Sequence, residues 1–371
     1  MKNKIKYSIL CIIIFLIVIG SINLYEPYSE EKVRGQIQIW VKANTYDYML
    51  NCAQTFMENN NKVNIVVNVI ENGDIKIDED NEDKNTIYMF EMSNEDFYNR
   101  KLDQKWNYYN TNDIFFTYSN NFPSHIVDSY DKYKKGIPFT TRPLALYVDE
   151  NILDQYGYSK YDFNTWDDLI RIGKDINEKS EGKIKTLNAT DEDYKDLMDL
   201  LIMQNMSSDL EKEEIEGKIK NEINLMKSDN LLNYDREGSY ICKISSIEGI
   251  KNIIDSEHVW SLTTVPSYRG GENKFFSAEG SELFTIDNEN RNLTQKFIVY
   301  LITNHKNVIP YMNEGLFFPS YLYTYRKAEI DKEVQYIEGQ SPLSTFSNIE
   351  EKSIAITNYD IYIDIKNELE N

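Results

Sequence analysis

Few residue combinations in this chain could do covalent chemistry. Its three histidines, His125, His258 and His305, are far apart in sequence and lack the spacing of metal ligands. No G-x-S-x-G, phosphate-loop or G-x-G-x-x-G run occurs. With 61 Asp and Glu residues, no single carboxylate pair stands out as a glycoside-cleaving acid and base. Residues suited to recognition are clearer. Trp40, Asn44 and Tyr46 come at and after the end of a strand pattern, where open α/β sheets meet their ligands. Glu91 closes another strand pattern, and its carboxylate suits sugar hydroxyls or an ammonium group. Trp106 to Tyr133 is crowded with aromatics, including Tyr108, Tyr109, Phe115, Phe116, Tyr118 and Tyr130, which suit the apolar face of a pyranose. These residue types support a binder with no cofactor and no metal, and do not support an enzyme.

The elements that position these residues are legible in outline. Gly35–Val41 alternates as a strand, Tyr48 to Met57 reads as an amphipathic helix, and Val63 to Ile70 is a second strand of Val and Ile. Residues 72–85 are acidic and aperiodic, and they lack the frame of a calcium loop. Thr86 to Glu91 is a third strand. The stretch from Gly136 to Ile176 organises the rest. Gly136-Ile137-Pro138-Phe139 marks a bend, Leu144 to Val148 a short strand buried on both faces, and Ile152 to Gly157 a helical turn stopped by glycine. Thr165-Trp166-Asp167-Asp168 is a helix start in which hydroxyl and carboxylate cap otherwise orphaned amides. Tyr194 to Met203 and Leu210 to Met226 carry helical periodicity. Cys52 and Cys242 lie in apolar segments of different expected lobes, so two buried free thiols are expected.

The order and identity of these pieces resemble the bacterial extracellular solute-binding proteins of ABC importers, the large family that includes the maltose-binding protein. The resemblance rests on Gly136-Ile137-Pro138-Phe139, Ala145-Leu146-Tyr147-Val148-Asp149 and Thr165-Trp166-Asp167-Asp168-Leu169. Later segments extend it over roughly residues 35–320: Thr264-Val265-Pro266-Ser267, Ser277 to Ile286, Gln295 to Thr303, and Gly315 to Pro319. It implies an α/β, two-lobed, periplasmic-binding-protein-like fold of type II, a flytrap with a hinge between lobes. It divides the chain into 1–25 as export signal or anchor, 26–34 as tether, 35–138 plus 268–315 as the N-lobe, and 139–267 plus 316–371 as the C-lobe. Two lobe crossings are expected, at residues 136–138 and 264–267.

By the same resemblance, ligand-binding residues are Trp40, Tyr46, Glu91, Arg142, Ser246, Glu248, Trp260, Glu279 and Ser281. Arg142 sits in the expected hinge region, where it could bridge a ligand or pair with one of the many acids. Ser239 to Glu248 resembles a family strand whose following turn carries a sugar-stacking aromatic. Here Ile247 and Glu248 occupy that neighbourhood, which weakens a maltodextrin-like ligand. Expected partners are a small solute, an oligosaccharide or sugar derivative by preference, and the subunits of a membrane permease. A binder presenting to a sensor kinase, or a member that has lost transport, stays open.

Composition agrees with this class. The 371 residues suffice for two lobes with separate cores. Lys2, Lys4 and Lys6 precede an apolar run from Ile9 to Ile22, the pattern of export, either as a signal or as an uncleaved anchor. Location outside the cytoplasmic membrane is therefore expected. The formal charge of −21 repels nucleic-acid phosphates and leaves a cationic ligand compatible.

Overall fold

A computed structural model describes residues 33–71, 75, 86–133, 136–206, 210–254, 257–304, 307–326, 328–334, 336–339, 341–356 and 358–370. The expected export segment, nearly all of the tether and most of the acidic run 72–85 lie outside these residues. No helix among the described residues is long and apolar enough to cross a membrane.

Two sheets organise the chain. The first holds strands β1 (Gly35–Val41), β2 (Val63–Val69), β3 (Thr86–Met92), β4 (Ile137–Pro143), β10 (Ser277–Thr285) and β11 (Phe318–Pro319), in the order β11-β4-β10-β3-β1-β2. The second holds β5 (Ala145–Asp149), β6 (Ile184–Asn188), β7 (Leu232–Asn233), β8 (Ser239–Ser245) and β9 (Trp260–Thr264), in the order β7-β6-β8-β5-β9. Within the first sheet β1 runs parallel to β2 and β3, and β10 is antiparallel to β3 and β4. In the second, β6 is parallel to β7 and β8 while β5 is antiparallel to β8 and β9. This is the two-lobed α/β architecture expected.

Helices cover the sheets because their apolar stripes have nowhere else to go. In chain order they are α1 (Tyr46–Asn59), α2 (Asn94–Asn99), α3 (Asn112–Tyr118), α4 (Ser124–Tyr133), α5 (Glu150–Tyr156), α6 (Trp166–Lys179) and α7 (Asp191–Met206). They continue with α8 (Lys212–Ser228), α9 (Arg291–Thr303), α10 (Ile309–Asn313), α11 (Pro342–Lys352) and α12 (Tyr359–Glu370). Phe56 of α1 and Phe297 of α9 meet edge to face, their ring centres 5.0 Å apart, in the core of the first lobe. Leu169 and Ile172 of α6 join Leu146, Val148 and Ile244 of the second sheet in a separate core.

Local signals hold where they were read. All of β5 is buried. Gly157 closes α5 at φ 77, a left-handed conformation that glycine adopts without steric cost. Thr165 and Asp168 form the reciprocal cap of α6. Cys52 and Cys242 are buried and free.

The crossing between sheets comes later than its motif suggests. The β4 strand continues past Pro138, still paired with β10 at Arg142↔Ala278 and Pro143↔Ser277, and the chain changes sheet only at Leu144. Pro143 has no N–H to extend a ladder, which is a physical reason for the strand to end there. The return to the first sheet is completed at Ser277, where β10 begins. The C-terminal part is also shared, not confined to one lobe. Strand β11 pairs with β4, α11 packs against β4 of one sheet and β5 and β9 of the other, and α12 lies on α7 and α8.

Candidate functional site

The carboxyl ends of β3 and β4 and the start of β10 all face the second lobe, so polar side chains placed there meet across a seam. Glu91, one residue from the end of β3, is 1% exposed. Its Oε2 accepts the Lys42 backbone N–H (3.1 Å) and the Thr45 hydroxyl, and its Oε1 accepts the Ser281 hydroxyl (2.6 Å). Ser281 in turn shares a hydrogen bond with Thr140 (2.7 Å). Irregular register along β10 between Ala278 and Glu282 aims these groups. Gly280 makes the bulge possible, because a Cβ there would lie 2.1 Å from the Thr140 carbonyl oxygen. Glu279 accepts the Asn94 N–H (2.7 Å) and the Glu95 N–H (3.4 Å), capping α2 from another strand. Tyr359 of α12 donates its hydroxyl to the same carboxylate at 2.6 Å.

The second lobe answers with a stripe of acid. Asp193, Asp196 and Asp199 recur every third residue along α7, which puts them on one face over about 9 Å. All three are at most 5% exposed. Each is matched by one cation from a different element, so the face reads as a three-rung ladder. Lys243 of β8 stands 3.9 Å from Asp193, Arg142 of β4 meets Asp196, and Lys366 of α12 lies 3.0 Å from Asp199. Lys366 also reaches Glu95 of α2 at 3.0 Å. The Arg142 rung therefore joins β4 of the first sheet to α7, and the Lys366 rung joins α2 to α7 through α12. Asp196 further accepts the Ser245 hydroxyl and the Ser246 N–H, both at 3.3 Å. The Ser246 hydroxyl donates to Glu248.

Burial sets the protonation behaviour of the ladder. Taking the Asp196 carboxyl out of water pushes it up to about 7, against the pull of Arg142 and with the push of Asp199, Glu248 and Asp193. Burial lowers Lys243, with Asp193 and Asp196 opposing. Burial alone would lower Lys366 too, yet Asp199 and Glu95 outweigh it and carry the amine above the ordinary lysine value. Burial raises Glu95, with Lys366 opposing.

Of the nine residues expected to bind ligand, the structure gathers six along this seam: Glu91, Arg142, Ser246, Glu248, Glu279 and Ser281. Trp40 goes elsewhere. It is 6% exposed and packs in a satellite core with Phe90, Met92, Phe97 and Phe284, its ring 6.3 Å from that of Tyr88. That face is used for packing in this structure. Replacing Trp40 by phenylalanine is expected to cost about 1–2 kcal/mol of stability in urea melts, for lost volume. The same change should leave solute affinity unaltered in calorimetry.

Register sets Trp260 away from the seam. It pairs with Asp149 at the far end of β5, while Thr264 pairs with Ala145 beside the crossing. At about 3.3 Å per residue that places Trp260 roughly 13 Å from the seam. It is 5% exposed, against Tyr240. Tyr46 is half-buried against the first-lobe core.

Several seam residues escaped sequence reading, above all the aspartate stripe, Asn94, Glu95, Tyr359 and Lys366. The run Asp193-Tyr194-Lys195-Asp196-Leu197-Met198-Asp199 carried the signal: acids at helical spacing on the side of a helix that also buries Leu200 and Leu201. The carboxylates of the seam are engaged by N–H groups, hydroxyls or fixed cations. No group of His, Cys, Asp and Glu among the described residues could hold a metal ion. The arrangement is fit to hold two lobes and a polar guest.

No protein-family model and no curated protein matches the chain. Solved structures do match its fold. The sugar-binding protein MalE from Xanthomonas citri superposes with a TM-score of 0.65 at 12% identity, over 89% of this chain and 90% of that one. The GacH receptor of Streptomyces glaucescens, solved unliganded and with acarbose, gives 0.61 at 15% identity, over 91% and 94%. UgpB from Mycobacterium tuberculosis, in complex with glycerophosphocholine, gives 0.63 at 9% identity, over 91% and 98%. The chain has the two-lobed fold of the extracellular solute-binding proteins, and these structural neighbours are binding proteins.

Proposed function

We propose that this chain is the extracellular substrate-binding protein of an ABC importer, held at the outer face of the membrane by its N-terminal segment. It captures a small solute between its lobes and delivers it to a permease. One observation carries the reading: both lobes send charged and hydrogen-bonding side chains to one buried seam at strand ends. Closing on a solute there would expel water and strengthen each polar contact. The neighbours with this fold include proteins described as binding sugars and, for UgpB, glycerophosphocholine, which supports a small polar solute here. We read the chain as a binder and not as an enzyme, since among the described residues the seam shows no hydroxyl bonded to a histidine base.

A second reading, a binder that senses or has lost transport, is favoured by one feature. The ladder cations come from the chain itself, so the three aspartates of α7 are paired without a guest. A thermal-shift panel of sugars, polyols, amines and short peptides separates the two. A saturable rise in Tm with one solute class, lost in Arg142→Gln, supports capture. Silence across the panel from a protein with one sharp transition favours the second reading.

A further inference from the structure

Beside the ladder lies a pocket that no rung fills. Asn94, Glu279, Ser281 and Tyr359 are among its polar residues, and Ile126 and Ile354 among its apolar ones. No lysine or arginine is among its described lining residues, and the histidine there, His125, is hydrogen-bonded to Glu350 at 2.7 Å. Asn94 is 2% exposed, and its Nδ2 donates to Glu282 Oε1 at 2.7 Å. That bond fixes the amide, because turning it over would set Oδ1 against a carboxylate. Its Oδ1 is left buried without a donor, a state that costs about 1–3 kcal/mol unless a guest supplies one. Glu279 points to the same need. A carboxylate offers about four acceptor positions, and Asn94 N, Glu95 N and the Tyr359 hydroxyl occupy three.

The pocket thus presents a carboxylate with capacity to spare, Glu279, and a neighbouring hydroxyl, Ser281, with the donor-less Asn94 Oδ1 buried behind them. A primary ammonium has three N–H donors to give to such a set, and the Glu279 charge offsets the cost of burying it. The aromatics expected to stack on a neutral sugar are placed away from the seam. Trp40 and Trp260 are used in packing, and Ile247, fully buried, stands where the resemblance places a stacking aromatic.

We propose that this pocket takes the ammonium end of a small cationic solute, an amino sugar or aliphatic diamine, so that the cargo is cationic and not a neutral oligosaccharide. The inference rests on the reading of the chain as a solute-binding protein.

The test titrates the full chain with matched pairs: glucosamine against glucose and N-acetylglucosamine, and putrescine against 1,4-butanediol. The expected result is saturable binding by one or both ammonium compounds and none by their neutral partners. Glu279→Gln keeps the cap of α2 but removes the charge, and should weaken amine binding about tenfold or more. The wild-type pairs decide the matter even where that variant fails to fold. Binding of glucose or maltose instead, sensitive to Arg142→Gln, overturns the cationic cargo and leaves the solute-binding reading standing. Absence of binding by amines and neutral compounds alike overturns the cationic cargo, and the wider panel then decides the solute-binding reading.

Discussion

Arg142→Gln is expected to destabilise the protein by about 3–5 kcal/mol at pH 8, the usual cost of leaving a buried charge without its partner. Asp196 is 1% exposed, and its remaining partners, the Ser245 hydroxyl and the Ser246 N–H, are neutral donors. The deficit should shrink at pH 5.5, and the sign follows from the Asp196 carboxyl. Its folded value of about 7 lies above the unfolded value of about 3.9. Between those values the folded state binds the extra proton, so stability contributed by this group falls as pH rises through the window. The slope is at most about 1.4 kcal/mol per pH unit. Without Arg142, which pulls the carboxyl down, the group stays protonated further into the neutral range. At pH 5.5 the variant therefore buries a neutral acid, and the unpaired anion grows as pH rises toward 8. Urea melts of wild type and variant at both pH values measure this. An equal deficit at the two would mean that Asp196 does not titrate in the seam.

Lys366→Met should cost about 3 kcal/mol near neutral pH, because two acids lose their shared cation. Asp199 is 1% exposed and keeps only the Tyr362 hydroxyl at 2.8 Å among its described hydrogen bonds beyond that lysine. The Glu95 side chain is about one-fifth exposed, so water softens its part of the loss. A second consequence separates this variant from an ordinary core lesion. Lys366 joins α2 of the first lobe to α7 of the second, so its removal frees the lobes to part. Small-angle scattering should show a larger radius of gyration at a urea concentration where the variant is still folded. An unchanged radius would confine Lys366 to fixing α12 on its own lobe.

What the chain shows by itself is set by how local the cause is. The cap of α6 is written in Thr165 and Asp168, three residues apart, and the burial of β5 in five consecutive residues. The two-sheet plan was legible because strand patterns and crossings recur in a fixed order. The exact crossing was not, since Gly136-Ile137-Pro138 reads as a bend while the decision to leave the sheet is made by ladder pairing as far as Pro143. The packing of Trp40 is not legible for a related reason. Trp40 ends β1 where a ligand loop begins, but Phe90, Phe97 and Phe284, distant in sequence, claim its face. Glu279 and Lys366 act through partners far away in sequence, such as Glu95 for Glu279, 184 residues distant, and no local pattern announces such a pairing. The aspartate stripe was in plain view, yet it shares α7 with an apolar stripe that explains the helix alone.

The most direct test of a flytrap is the distance between its lobes. Phe116 in α3 and Tyr161 in the turn before α6 are 51% and 78% exposed and belong to different lobes. With Cys11→Ser, cysteines at these two sites accept dyes, because native Cys52 and Cys242 are buried. Single-molecule transfer efficiency would then be followed while adding the solute that raises Tm. The account expects a broad distribution to narrow to the short-distance state, with a midpoint equal to the calorimetric Kd. A solute that binds at saturation while the lobe-to-lobe distance stays unchanged would contradict capture by closure.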